Sequence, residues 1–148
     1  MMKSKHLYEL IWLSRPLMQA AEAAVEAGLK DSGLTVRTRA VLEILYTDGD
    51  MTVPDIAQKL EIKRQYVQLM VNEAFADGLT SKSDNPRHKR STLVALTDNG
   101  RRLIEEVVQR EKALVESIGV EMLAADIETA LELVSSLTAK LKLAAGKL

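Results

Sequence analysis

Cysteine is absent from this 148-residue sequence, and that gap closes several routes at once. Disulfides, thiolate nucleophiles, cysteine redox sensing and thiolate zinc sites are excluded. The two histidines, His6 and His88, stand too far apart for a histidine-rich metal site, so no metal and no cofactor is expected. Aromatic residues are scarce too. Trp12, Phe75, Tyr8, Tyr46 and Tyr66 are all of them, too few for a single-strand stacking platform. No run approaches the roughly 18 uncharged apolar residues of a membrane span. Glu9 and Arg15 interrupt the apolar residues of "MMKSKHLYELIWLSRP" and no small-residue cleavage site follows, so a cytoplasmic chain without membrane contact is expected. A nucleophile–base pair, a phosphate-binding glycine loop and a motif-placed carboxylate pair are also missing, which argues against an enzyme.

The composition itself, 47% hydrophobic and 28% charged, is that of one globular domain. The formal net charge of −1 conceals an uneven distribution. Between Ile62 and Arg102, Lys63, Arg64, Lys82, Arg87, Lys89, Arg90, Arg101 and Arg102 face only Glu73, Asp77, Asp84 and Asp98, a local excess of +4 that leaves −5 elsewhere. A basic centre within acidic flanks fits a protein that meets a polyanion through one surface. On charge alone, a solvated loop reads equally well.

Apolar periodicity predicts a mainly α chain. Leu7, Leu10, Ile11, Leu17, Met18, Ala21 and Val25 mark a helix over about Lys5 to Leu29, kinked or split near Leu13–Arg15 by Pro16. Thr35 caps a second helix with Val36, Ala40, Val41, Ile44 and Leu45 inward. Thr52 caps a short third, with Pro54 in its first turn and Ile56, Ala57 and Leu60 inward. A fourth helix is expected from Arg64 to Ala76, burying Val67, Met70, Val71 and Ala74 and stopped at Gly78. Leu79–Ser83 and Thr92–Leu96 read as a two-stranded hairpin bent at Asn85–Pro86. A long helix then starts at Thr97, with Leu103, Ile104, Val107, Val108, Leu114, Val115 and Ile118 inward, and ends at Gly119. The last helix runs from about Ala124 to Leu143.

A short helix, a tight turn and a second helix with a polar outer face make a helix-turn-helix, sized for the roughly 12 Å major groove. The outward residues Lys63, Arg64, Gln65, Gln68 and Asn72 carry base-reading chemistry. The hairpin that follows holds Arg87, His88, Lys89 and Arg90 side by side, as a wing reaching phosphates or the minor groove would.

These stretches together, "LTVRTRAVLEIL", "MTVPDIAQKL", "KRQYVQLMVNEAFADGL" and "NPRHKRSTLVALTDNGRRL", resemble the MarR family of winged helix-turn-helix transcriptional regulators. Most specific is Arg90-Ser91 followed three residues later by Val-x-Leu-Thr-x-x-Gly-Arg. The resemblance implies a single chain, residues 1–148, with a winged part over 34–100 and helical dimerisation parts over 5–30 and 101–145. It implies a homodimer on pseudo-palindromic double-stranded DNA, usually repressing, and often released by a small molecule. Thr52, Lys63, Arg64, Gln65, Tyr66, Gln68, Leu69, Asn72, Arg87, Lys89 and Arg90 are then the DNA-binding residues.

The sequence departs from the family pattern at four places. His88 stands where an acid usually fixes the wing arginine, which predicts a less preorganised tip that responds to pH near neutrality. Leu69 and Glu73 replace frequently basic residues, and Tyr66 a small hydroxyl.

Leu7, Leu10 and Ile11, with Ile127, Leu131, Val134, Leu137 and Leu141, form apolar stripes expected at the dimer contact; an intrachain bundle is the other reading. Trp12, Arg15 and Tyr46 are candidates for a carboxylated aromatic effector, or else Trp12 and Tyr46 are core and Arg15 a surface cation. The alternative function is a winged helix that binds protein, with Leu69, Glu73 and Phe75 on its exposed face. A broadly binding architectural protein fits poorly with a net charge of −1.

Overall fold

The computed structural model describes residues 1–146 and divides into two compact units, Met1–Glu111 and Lys112–Leu148. The first unit begins with α1 (Met2–Trp12) and α2 (Ser14–Leu29), separated by Leu13 alone. Pro16 has no N–H to give the Trp12 carbonyl, so the helix is interrupted where the sequence predicted. Ser14 Oγ donates instead to the Ile11 carbonyl at 2.6 Å and closes the break.

Helix α3 (Val36–Asp48) starts at a reciprocal cap. The Thr38 N–H donates to Thr35 Oγ1 at 3.1 Å, and the Thr35 N–H to Thr38 Oγ1 at 2.9 Å. Its inward face differs from the expected stripe: Val36 is 45% exposed, whereas Leu42 and Thr38 are fully buried. The reason is that α3 lies between two cores. Val41 and Leu45 join Ile56, Val67, Val71 and Val94 on one side. Leu42 joins Leu29, Leu34, Ala74, Leu79, Ile104 and Val107 on the other. A helix packed on two sides buries more than one stripe.

Helices α4 (Val53–Leu60) and α5 (Arg64–Ala76) follow, joined through Glu61 in a left-handed conformation, φ 55°. Val67, Met70, Val71 and Ala74 of α5 are buried as expected. Gly78, at φ 73°, lets the chain turn out of the helix, and the Leu79 N–H donates back to the Ala74 carbonyl at 2.9 Å.

Strands β1 (Thr80–Asp84) and β2 (Thr92–Leu96) pair antiparallel, from Thr80↔Leu96 to Asp84↔Thr92, with β1 one residue later than the periodicity suggested. A third segment joins them: Met51 and Val94 exchange both backbone hydrogen bonds, at 3.1 and 2.7 Å. This bridge ties the start of α4 to the wing. The fold class is therefore as expected, mainly α with a small two-stranded wing.

Thr97 is the residue before α6 (Asp98–Ile118) and serves both neighbours. Its hydroxyl donates to the Gly78 carbonyl at 2.7 Å and accepts from the Gly100 N–H at 3.0 Å. Gly100 is buried against Leu79, where a Cβ would overlap the Leu79 carbonyl oxygen. Thr-x-x-Gly is thus the joint between wing and helix.

In the second unit, the end of α6, a single 3-10 turn (Gly119–Glu121) and α7 (Ala124–Ala144) contain no buried residue among those described. Leu114, Val115 and Ile118, expected inward, are 45%, 67% and 58% exposed.

Candidate nucleic-acid interface

The outward face of α5 follows from its inward one. With positions 67, 70, 71 and 74 in the core, Arg64, Gln65, Gln68, Leu69 and Asn72 point to solvent, and Tyr66 is 63% exposed beside them. Gln68 Nε2 donates to Asn72 Oδ1 at 2.9 Å, one turn along. The N-terminus of α5, beside Lys63 and Arg64, has no side-chain cap.

The wing tip is ordered by Asn85, expected at the bend, and by Ser91, whose hydroxyl contact the sequence reading did not give. Asn85 Oδ1 accepts from the Arg87 N–H at 3.0 Å, and Asn85 Nδ2 donates to Ser91 Oγ at 2.9 Å. Ser91 Oγ in turn donates to the His88 carbonyl at 3.1 Å, and the His88 N–H reaches the Asn85 carbonyl at 3.2 Å. The tip is closed across its base by an amide and a hydroxyl, and it does not depend on an acid at position 88. The signal was present in "NPRHKRS": Asn before Pro with Ser six residues on is turn chemistry.

Four cations are spent on ion pairs within the fold. Arg37 pairs with Glu73, Arg39 with Glu43 and Glu111, Lys59 with Asp48, and Arg102 with Glu106. Lys63, Arg64, Arg87, Lys89 and Arg90 are exposed, and among the described residues no ion pair neutralises their side chains. Unneutralised cations on an ordered turn and a helix start leave phosphate-binding capacity unspent.

Two expected assignments change. Thr52 was assigned to DNA, but it is buried, 9% exposed, and its hydroxyl accepts from the Asp55 N–H at 3.2 Å. The hydroxyl holds the start of α4. Glu73, read as part of the exposed reading face, is turned toward α3, where Arg37 Nε lies 3.0 Å from Oε2. The Arg37 hydrogen bond and charge hold the Glu73 carboxyl below its ordinary range, and Glu73 raises Arg37 in return. Phe75, the third residue of the protein-binding alternative, is capped by Lys82, whose Nζ sits 4.6 Å from the ring centroid.

A second clasp joins α3 to α6. Arg39 reaches Glu111 through Nε at 2.7 Å and through Nη2, and Glu43 through Nη1 at 2.6 Å. Hydrogen bonding to Glu111 raises the Arg39 guanidinium despite partial burial.

The three effector candidates split. Arg15 stacks over Trp12 at 5.5 Å, with Tyr8 edge-on to the same indole at 6.3 Å. Tyr46 instead carries Arg101 over its ring at 5.9 Å. Neither aromatic is core: Trp12 is 51% and Tyr46 37% exposed. Of the dimerisation candidates in the first unit, Leu10 and Ile11 are half-buried and Leu7 is exposed; in the second, Ile127, Leu131, Val134 and Leu141 are exposed and Leu137 half-buried. Among the described residues no group of three or more acidic or histidine side chains is placed to hold a metal, and no helix is long and apolar enough to cross a membrane.

No family model matches the chain. A solved MarR family transcription regulator superposes with a TM-score of 0.90 at 29% identity, covering 99% of this chain and 97% of that one. An HTH-type transcriptional repressor of Bacillus subtilis, MdtR, is 28% identical over 99 residues, 67% of this chain and 64% of that protein. An uncharacterised protein of Mycobacterium tuberculosis is 39% identical over 64 residues, and the match spans 45% of that relative's length.

Proposed function

We propose that this chain, which has the winged helix-turn-helix fold of the MarR family of transcription regulators, binds double-stranded DNA sequence-specifically and regulates transcription as a repressor. The single observation that carries this reading is the set of exposed, unneutralised cations on the wing tip and at the start of α5, Arg87, Lys89, Arg90, Lys63 and Arg64. What distinguishes them is their clustering on two adjacent elements, the wing tip and the start of α5. In this reading α5 lies in the major groove, whose width suits a helix, and the wing lies over an adjacent minor groove.

A homodimer accompanies this reading. In the second unit Leu123, Leu131 and Val134 are 66%, 63% and 53% exposed, an apolar surface that a second copy of the same helices would cover. Two reading helices about 34 Å apart would then match a two-fold operator. A carboxylated aromatic effector would use the Arg15–Trp12 stack, and its addition would release the DNA.

The test is fluorescence anisotropy on the promoter of the chain's own gene and on a random duplex, across a salt series. Tight binding to one DNA that falls steeply with salt supports the reading. Weak, sequence-blind binding to every duplex tried, together with a random-library selection that enriches nothing, overturns it in favour of a protein-binding winged helix.

A further inference from the structure

Gln65, Gln68, Leu69 and Asn72 form one outward row of α5 at helical spacing, and all four are exposed. One contact within that row is already made: the Gln68 amide nitrogen donates to Asn72 Oδ1 at 2.9 Å. An amide nitrogen carries two hydrogens. With one committed to Asn72, Gln68 presents a single N–H beside its own Oε1. A donor next to an acceptor complements adenine, whose major-groove edge offers N7 as acceptor and the N6 amino group as donor. Guanine offers two acceptors there, N7 and O6, and would set a lone pair against Oε1.

Leu69 is the neighbouring side chain, and it is 65% exposed. A large apolar group in the middle of a polar row packs favourably only against another apolar group. The one such group on the major-groove edge of a base pair is the thymine methyl.

We infer that α5 reads an A·T-containing step in each half-site: Gln68, oriented by Asn72, selects adenine, and Leu69 selects a thymine methyl at the adjoining position. This rests on the DNA-binding reading above. Asn72 is a positioning residue here, because it acts by consuming one hydrogen of Gln68. Removing it frees the Gln68 amide to rotate, so that both N–H groups can face N7 and O6 of guanine with Oε1 turned away.

The test is selection by the full chain from a random duplex library, then anisotropy on the enriched site. Exchanging the A·T pair for G·C is expected to weaken wild-type binding roughly ten- to a hundredfold. In Gln68→Ala the same exchange costs less than about threefold, the discrimination having been removed with the amide. Asn72→Ala narrows the gap in affinity between the adenine and the guanine site, a change in preference that a merely structural role would not produce. Replacing thymine by uracil removes only the methyl; it weakens the wild type about three- to fourfold and leaves Leu69→Ala unchanged. All these residues are exposed, and unchanged circular dichroism and Tm confirm that each variant folds. An enriched site without an A·T step, full discrimination in Gln68→Ala, or no effect of uracil overturns the inference while leaving a DNA-binding regulator standing. A selection that enriches no site overturns both.

Discussion

Arg37, in the first turn of α3, and Glu73, in the last turn of α5, are joined by a two-pronged contact: Nε to Oε2 at 3.0 Å and Nη2 to Oε1 at 3.3 Å. Thr35, the cap of α3, comes within 3.5 Å of the same carboxylate. The pair links the first turn of α3 to the last turn of α5.

This contact has a pH signature. Glu73 is held below its ordinary range by Arg37, so the stabilisation is complete above the unfolded glutamate pKa of about 4.3. It is lost as pH falls through the lower folded value. Arg37 stays charged throughout. Wild type is therefore expected to exceed Glu73→Gln in Tm at pH 7, with the gap closing as the solution is acidified below pH ~4. The difference is small, because the pair is exposed to solvent and salt. A gap that stays constant from pH 7 to pH 3 would count against this role for the pair.

Gly100→Ala tests the joint between wing and α6. The new Cβ would overlap the Leu79 carbonyl oxygen and come within 2.9 Å of its carbonyl carbon, so backbone has to move. Overpacking of this kind costs about 1–3 kcal/mol, and a chain of this size loses about 2–4 °C in Tm for each kcal/mol. Gly119→Ala, where a Cβ meets nothing within 4 Å, is the matched control and is expected to leave Tm within about 2 °C. Differential scanning calorimetry of both proteins decides the point.

Asn85→Ala removes the amide that closes the wing base, and Ser91→Ala removes the hydroxyl it meets. Each is expected to weaken DNA binding about three- to tenfold, since the Arg87–Arg90 turn must then be ordered at the moment of binding. The double variant should be no weaker than the worse single one, because both break one network. Strictly additive losses in anisotropy titrations would show that the two side chains act separately.

Arg64→Ala and Arg90→Ala each delete one unneutralised cation. For both, affinity is expected to fall and the slope of log K against log salt to shrink by about one. Sedimentation should show the same oligomer as wild type. Unchanged affinity in both variants would contradict the placement of DNA on this surface.

Leu131→Glu places a charge in the apolar surface of α7, where Leu131 is 63% exposed in a single copy. If a second copy covers it, the charge is buried without a partner and the dimer dissociates, which sedimentation velocity reports directly. DNA affinity falls with it, because the two half-sites are no longer held together. An intact dimer in this variant would move the contact off this face of α7.

Much of this protein was legible in its sequence because the physics involved is local. Threonine caps at 35 and 52, proline at 16, the left-handed Gly78 and the inward row Val67, Met70, Val71 and Ala74 act within a few residues of themselves. Helix starts and stops and the bounds of α5 follow from them. The unpaired cations of the wing were equally readable as residues, though not as unpaired. Partnership is a property of space. That Glu73 turns to Arg37, thirty-six positions earlier, that Tyr46 meets Arg101 while Trp12 keeps Arg15, and that Met51 bridges Val94 required the chain to be folded. So did the burial of Thr52 and of Leu42. A periodic stripe tells which residues can face a core, but the number of cores a helix touches is set by its neighbours. What the sequence by itself determined was the order of elements and the chemistry available to them; tertiary packing decided which polar groups were consumed holding the fold and which were left over to bind.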